Sequence, residues 1–325
     1  MKKLLIATVS AVLLCTALTV KAQDHDDRRK KFDHVKEKNI SKTYPASGNK
    51  LSISNSFGNV EIIAWDKNEI KVDVHIEASS NSEENAQQIF ENISVSDSKN
   101  GNEIRFKTKI DNDDNRNCRN CKSSMNIDYQ IHLPASVALD IENSFGNTII
   151  PDYSGSISVS SKFGKLNSGA LNTVKDINVE FGEADIESMS DIDATFKFSK
   201  ISIGNLSGKN KIHIEFCDHT KINLDTKISS LTLSESYSTV SVTPPVNFSA
   251  SYSISTSYGS VVDRSDVGLK RIDKPDEYGP DSDKTYEGKS GNGSVKIDIR
   301  SSFGKIIIGE PGADDVKEKK KKVKA

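Results

Sequence analysis

The chain has 325 residues, with 44 Lys and Arg against 46 Asp and Glu, and only 35% hydrophobic and 6% aromatic residues. That length permits one or two domains, and the apolar content is low for a thick core, although the narrow core of a stacked repeat needs no more. In the charged stretch 23–39 acids interleave with the bases, which argues against a nucleic-acid surface.

Residues 1–22 read as an export signal. Lys2 and Lys3 precede an apolar run from Leu4 to Val20, and Val20-Lys21-Ala22 supplies small residues for cleavage. Lipidation at Cys15 and an uncleaved anchor are the competing readings. Loss of Lys2, Lys3 and Lys21 takes the net charge from −2 to −5. No other segment is apolar enough to span a membrane. Residues 23–44 are mostly charged and are expected to form a disordered leader.

Residues 45–140 form a β-rich cap. Leu51–Phe57 opens a first repeat, Ile70–Ile76 alternates as a strand, and Ser80-Asn-Ser-Glu83 resembles a capping box before Ala86, Ile89, Phe90 and Ile93 at helical spacing. Strands follow at Ile104–Ile110 and Asn126–Leu133.

Residues 141–309 carry the organising pattern. Its aromatics are Phe145, Phe163, Phe181, Phe198, Phe216, Tyr237 and Tyr258, spaced 18, 18, 17, 18, 21 and 21 residues apart, with outlying copies at Phe57 and Phe303. Four residues before each aromatic stands an apolar residue, from Ile53 and Ile141 to Ile299. The next residue is always small, and three residues on comes Val60, Thr148, Leu166, Ala184, Ile201, His219, Val240, Val261 or Ile306. The inward phase flips at the small residue, where Gly tolerates a bend. Each copy thus reads strand, corner, strand and polar return, as at Asn167-Ser-Gly169 and Asn205-Leu-Ser-Gly208. The expected fold is all-β: a β-solenoid of 18–21-residue rungs, one aromatic inside each rung, behind an N-terminal sheet region with one short helix. Residues Lys162, Glu180, Lys197, Glu215 and Lys165, Glu183, Lys200, Asp218 alternate in sign, as stacked rungs at about 4.8 Å require of exposed columns. The polar stretch 263–293 reads as a long loop, Ser294–Ile308 as a last cap, and 310–325 as a lysine-rich solvated tail.

Chemistry is sparse. Cys118 and Cys121 sit close in a polar loop and suit a local disulfide, while Cys217 stands at a small corner position and is expected unpaired. Asp111–Asn115 fails as a calcium loop, because Arg116 replaces the required Gly and Lys122 the bidentate Glu. His213 and His219 read as surface residues. Asp191 and Asp193 are a low-specificity pair for a carbohydrate-active enzyme. No catalytic residue, metal ligand set or cofactor is expected.

The segment Leu51-Ser-Ile-Ser-Asn-Ser-Phe-Gly-Asn-Val-Glu-Ile62, followed by degenerate Asn/Ser-Phe-Gly repeats, resembles the bacterial putative-adhesin family of exported β-repeat proteins of unassigned function. The resemblance covers residues 45–309. It implies a β-helix-like, non-enzymatic protein of the cell envelope (periplasm, outer-membrane surface or extracellular), with a glycan or an envelope protein as partner and no catalytic residues to transfer. The long insertion, the Cys-x-x-Cys loop and the lysine tail depart from the family pattern. The Ser- and Tyr-rich rungs give Tyr237, Tyr252 and Tyr258 as the candidate binding face. The alternatives are a carbohydrate-active β-helix enzyme and a periplasmic partner in envelope-stress signalling.

Overall fold

The computed structural model describes residues 32–111, 122–265, 267–275, 280–313 and 315. Cys15, Cys118, Cys121, the export signal and most of the lysine tail lie outside the described residues. The described chain is nearly all strand, with one helix, which is too short to cross a membrane.

The N-terminal region comprises β1 (His34–Pro45), β2 (Lys50–Ser56), β3 (Val60–Ala64), β4 (Glu69–Ser80), α1 (Glu83–Glu91), β5 (Ile93–Asn100), β6 (Glu103–Ile110) and β7 (Ser123–Leu133). Helix α1 starts two residues later than its sequence signal. Ser82, not Ser80, is the N-cap, its Oγ accepting from the Asn85 N–H at 3.5 Å, while Ser80 Oγ accepts from Asn85 Nδ2. Strand β1 corrects the expectation of a featureless leader through residue 44. It pairs antiparallel with β4 along its whole length, anchored by the half-buried Ile40 and Tyr44, the latter edge-on to Phe106. Two apolar anchors among so many charges are too weak a pattern to see in the sequence.

The repeats supply β8 (Ala138–Ser144), β9 (Thr148–Ile150), β10 (Tyr153–Lys162), β11 (Lys165–Glu180), β12 (Glu183–Ser190), β13 (Asp193–Lys197), β14 (Lys200–Glu215), β15 (Thr220–Ser236) and β16 (Thr239–Thr243). Then come β17 (Ala250–Ser257), β18 (Ser260–Asp263), β19 (Lys270–Arg271), β20 (Asp283–Ser290), β21 (Val295–Ser302) and β22 (Lys305–Ile308). They pair as two parallel ladders that meet at the aromatic corner. Before the corner the order is β6, β2, β8, β10, β11, β13, β14, β15, β21, β17. After it the order is β7, β3, β9, β11, β12, β14, β15, β16, β22, β18. The long strands β11, β14 and β15 serve both ladders. The polar returns expected at 167–169 and 205–208 are therefore continuous strand rather than loop.

Three other expectations need correction. The last copy in sequence is not last in space: β21 and β22 insert between β15–β16 and β17–β18. The stretch 263–293 is not only a loop, because β20 returns antiparallel along β17 and β19 pairs with β20. That hairpin, held by Arg271 between Asp273 and Asp281, covers the outer edge of the last rung and takes the capping role expected of Ser294–Ile308. Finally, His219, three residues after its aromatic, does not fill the inward position that its counterparts Ile201 and Val240 fill. It is one extra residue at positive φ, and the buried Thr220 pairs with Val240 in its place.

The residues four before each aromatic (Ile53, Ile141, Val159, Ile177, Ala194, Ile212, Leu233, Ile254 and Ile299) are all buried in one continuous core. The residues two before it are buried as well, and they change in character along the stack. Val179, Phe196 and Ile214 are apolar in the middle, while Asn55 and Asn143 lie at one end. Those amides are satisfied: Asn55 Nδ2 donates to Ile127 O at 3.0 Å and to Asn143 Oδ1 at 3.3 Å, and Asn143 Nδ2 donates to Gly58 O at 3.2 Å.

Candidate functional site

The nine repeat aromatics are not in the core. Phe57, Phe145, Phe163, Phe181, Phe198, Phe216, Tyr237, Tyr258 and Phe303 are each 38–56% exposed. Every one has φ between 50° and 62°, the left-handed region. A positive φ breaks strand alternation at the aromatic itself, so a side chain that should follow its inward neighbours turns out instead. The small residue after it does not provide the bend. It is small because the corner is tight: a Cβ on Gly146 would lie 1.8 Å from Gly58 O, and one on Gly164 1.9 Å from Gly146 O. Where this residue is larger, its side chain becomes a hydrogen-bond acceptor inside the corner. Gly182 N donates to Ser199 Oγ at 3.2 Å, Ser199 N to Cys217 Sγ at 3.4 Å, and Cys217 N to Ser238 Oγ at 3.0 Å. Cys217 is accordingly buried and free, and burial pushes its thiol pKa up.

Outside, the rings form one ladder in the order Phe57, Phe145, Phe163, Phe181, Phe198, Phe216, Tyr237, Phe303, Tyr258. Neighbouring centroids are 4.7–5.0 Å apart and the planes lie within 2–9° of parallel. Eight steps at about 4.8 Å make a ridge roughly 40 Å long. Each ring spends its faces on its neighbours and shows its edge to solvent. Among the described residues, only Phe57 and Tyr258 of the ladder lack an aromatic neighbour on one face.

Two columns of charge flank the ridge. On one side Lys162 pairs with Glu180 at 3.3 Å and Lys197 with Glu215 at 3.0 Å. On the other, Glu183 lies between Lys165 at 3.7 Å and Lys200 at 3.9 Å. The Lys197 ammonium holds the Glu215 carboxyl below its usual range. Beyond these rungs the flanks are polar, as in the chain Asn147 N to Asn59 Oδ1 (3.0 Å) and Lys165 N to Asn147 Oδ1 (3.1 Å), and their one further charge, Lys305 beside Phe303, is paired with Asp315 at 2.5 Å.

The proposed Tyr face divides. Tyr237 and Tyr258 stand on the ridge, but Tyr252 is 2% exposed, because it occupies an inward position two residues before Ile254; burial pushes its pKa up to about 12. Asp191 and Asp193 are structural. Asp191 accepts from Lys209 N at 2.8 Å and from Ser190 Oγ at 2.6 Å, which holds its pKa low, and Asp193 pairs with Lys211 at 3.5 Å. His213 bonds Ser234 at 3.0 Å on an exposed strand face.

Elsewhere, a cleft of about 480 Å³ in the N-terminal region is lined by Asn39, Asn59, Asp73, His75 and Asp128 among others. Glu37, His75 and Glu77 beside it are the described residues whose donor atoms, all within 4.8 Å of one another, come close enough to share a cation. Exposed carboxylates on strand faces commonly lie this near without one.

The class defined by these features is an all-β protein with two parallel strand ladders and an aromatic ridge along the corner between them. No protein-family model matches the chain, and no curated protein does. Among solved structures, a putative adhesin from Bacteroides fragilis is similar at 11% identity over 83% of this chain and 97% of that one, with a TM-score of 0.38. A putative cell adhesion protein from Clostridium sporogenes is similar at 11% identity over 85% of this chain and 100% of that one, with a TM-score of 0.23. A putative lipid binding protein from Parabacteroides distasonis is similar at 10% identity over 86% and 98%, with a TM-score of 0.30. Likeness at this level carries no argument about function.

Proposed function

We propose that the chain is an exported, non-enzymatic binding scaffold of the cell envelope, a β-solenoid that holds its aromatic ridge out as a contact surface. The observation that carries this reading is the ridge itself. Nine half-exposed aromatics in one unbroken row make a contiguous apolar surface of the kind that marks an interaction site. Each ring sits at positive φ, which costs roughly 1–2 kcal/mol for a residue with a Cβ. A core position would place the same aromatics without that cost, so the corner is built to present them. The basic start, apolar run and Ala22 site support export.

The reading is tested with Phe181→Asn/Phe198→Asn. Asn tolerates positive φ, so the corner is kept while the ridge is broken at its centre. Binding of purified protein to whole cells and to isolated envelope fractions is measured beside protease accessibility on intact cells. Loss of binding with an unchanged circular dichroism spectrum supports the scaffold reading. Undiminished binding by the variant overturns it. Protection of the protein until the cells are permeabilised moves the partner inside the envelope.

A further inference from the structure

The signs along the two flanks agree rung by rung. Lys162 and Lys165 flank Phe163, Glu180 and Glu183 flank Phe181, Lys197 and Lys200 flank Phe198, and Glu215 and Asp218 flank Phe216. Across four rungs the ridge reads plus, minus, plus, minus on both sides. Outside them it is neutral except at Lys305, which pairs with Asp315: Ser144 and Asn147 flank Phe145, and Ser236 and Thr239 flank Tyr237.

This pattern is complementary to itself when reversed. Let a second copy face the first, ridge against ridge and antiparallel, with the two-fold axis crossing between Phe181 and Phe198. The Phe163 rung then faces the Phe216 rung of the second copy, and Phe181 faces Phe198. Lys162 meets Glu215 of the second copy, Lys165 meets Asp218, Glu180 meets Lys197 and Glu183 meets Lys200. Neutral Phe145 and Tyr237 rungs meet each other, and Lys305 faces the uncharged Phe57 rung of the second copy. A two-fold axis is also the commonest symmetry of soluble oligomers, and it requires such self-complementarity. A parallel arrangement, or an antiparallel one slipped by one rung, sets like charges together, which costs several kcal/mol at a docked interface.

Other occupants fit less well. A sugar stacks on an aromatic face, and the faces inside the ladder are taken. An anionic lipid surface selects cationic flanks, and every second charged rung here is acidic. The area is sufficient for a copy of the chain. With about 150–250 Å² per aromatic and about half of each exposed, eight facing rings a side offer on the order of 1,400 Å² in total, within the range of specific interfaces.

We infer that the aromatic ridge is a self-association surface on which two copies of this chain dock antiparallel, their register set by the alternating Lys and acidic rungs. This rests on the reading of the ridge as a contact surface.

Two charge reversals test it by sedimentation of the purified protein. Lys162→Glu/Lys165→Glu makes the Phe163 rung acidic, and Glu215→Lys/Asp218→Lys makes the Phe216 rung basic. Wild type is expected to dimerise at micromolar concentration and to weaken as salt rises. Each variant alone is expected to dimerise at least about tenfold more weakly. An equimolar mixture is expected to recover a 1:1 heterodimer, because both facing rungs are then opposite in sign. Recovery also shows that both variants are folded. A monomeric wild type, or variants that pair with themselves as well as wild type does, overturns the inference. If wild type is monomeric while Phe181→Asn/Phe198→Asn still loses envelope binding, the ridge serves another partner and only this inference falls. If neither self-association nor envelope binding depends on the ridge, both readings fall.

Discussion

Glu235 on β15 accepts a hydrogen bond from Ser301 Oγ on β21, across the seam where the last copy of the repeat inserts. The carboxyl is 3% exposed and also accepts from Ser238 N at 3.2 Å. It fills the space that Gly304 leaves open, where a Cβ would come within 2.0 Å of Glu235 Oε1. Burial pushes its pKa up to about 7 from an ordinary 4.5, against the opposing pull of those two hydrogen bonds. A raised folded-state pKa means that the folded chain holds a proton which the unfolded chain has released. Stability therefore falls as pH rises between about 4.5 and 7, and the full cost, on the order of 3 kcal/mol, is present above that window. Glu235→Gln keeps the shape without the titration. Thermal melts at pH 5 and pH 8 should show the variant gaining on wild type by several degrees at the higher pH. Parallel pH profiles for the two proteins would show that Glu235 is not the group responsible.

The corner glycines are predicted to resist any side chain. In Gly164→Ala the new Cβ meets the Gly146 carbonyl oxygen at 1.9 Å, and that atom is backbone held in a ladder. Rungs must separate to admit it, so a loss of about 1–3 kcal/mol or more is expected in denaturant unfolding. Gly101→Ala is the comparison. Its φ is +59° and nothing stands within 4 Å of the added Cβ, so it should lose only the roughly 1–2 kcal/mol of left-handed strain. Gly164 is not itself in the left-handed region, so a Gly164→Ala variant as stable as wild type would show that close approach does not close the corner to a side chain.

At Phe181 the order of Ala and Gly should invert. Either substitution removes two stacked neighbours, worth about 0.5–1.5 kcal/mol each. Ala remains strained at a φ of 56°, whereas Gly does not. Phe181→Gly is therefore expected to unfold at higher denaturant than Phe181→Ala, by about 1 kcal/mol, although Ala normally wins within strands. A more stable Ala variant would mean that the aromatic is not in the left-handed region.

Much of the stack was legible because apolar residues recur at one fixed offset. Ile53, Ile141 and their counterparts four before each aromatic needed only period-two counting, and they are buried. The side of the aromatic was misread because it depends on the sign of a single φ. A signal for it did exist. Ser199 and Ser238 share parity with the inward residues two and four positions later, Ile201 and Ile203, and Val240 and Val242, while Cys217 departs from this only because His219 is an extra residue. Counting the small residue as inward leaves the aromatic outside. Strand order at the far end had no such signal. Tyr237, Tyr258 and Phe303 look equivalent in sequence, and which of them is central is fixed by long-range pairing of β15 with β21. Of the ridge, the sequence points only to Tyr237 and Tyr258 as a site, because the seven Phe read as core for the same reason.

That pairing can be checked by disulfide trapping. Ser236, Ser302 and Ser257 occupy the same position in three rungs, immediately before Tyr237, Phe303 and Tyr258, and pair in the order Ser236, Ser302, Ser257. Adjacent parallel strands lie about 4.8 Å apart, inside the Cα separation of roughly 4.4–6.8 Å that a disulfide spans, while strands two apart are beyond it. Ser236→Cys/Ser302→Cys should therefore oxidise readily, and Ser302→Cys/Ser257→Cys likewise, in a Cys118→Ser/Cys121→Ser background. Ser236→Cys/Ser257→Cys, closest of the three pairs in sequence to Ser236, should stay reduced because β21 lies between. Cross-linking of that last pair in the folded protein would put the repeats in chain order, moving Phe303 to the end of the ladder and dissolving the Glu235–Ser301 seam with it.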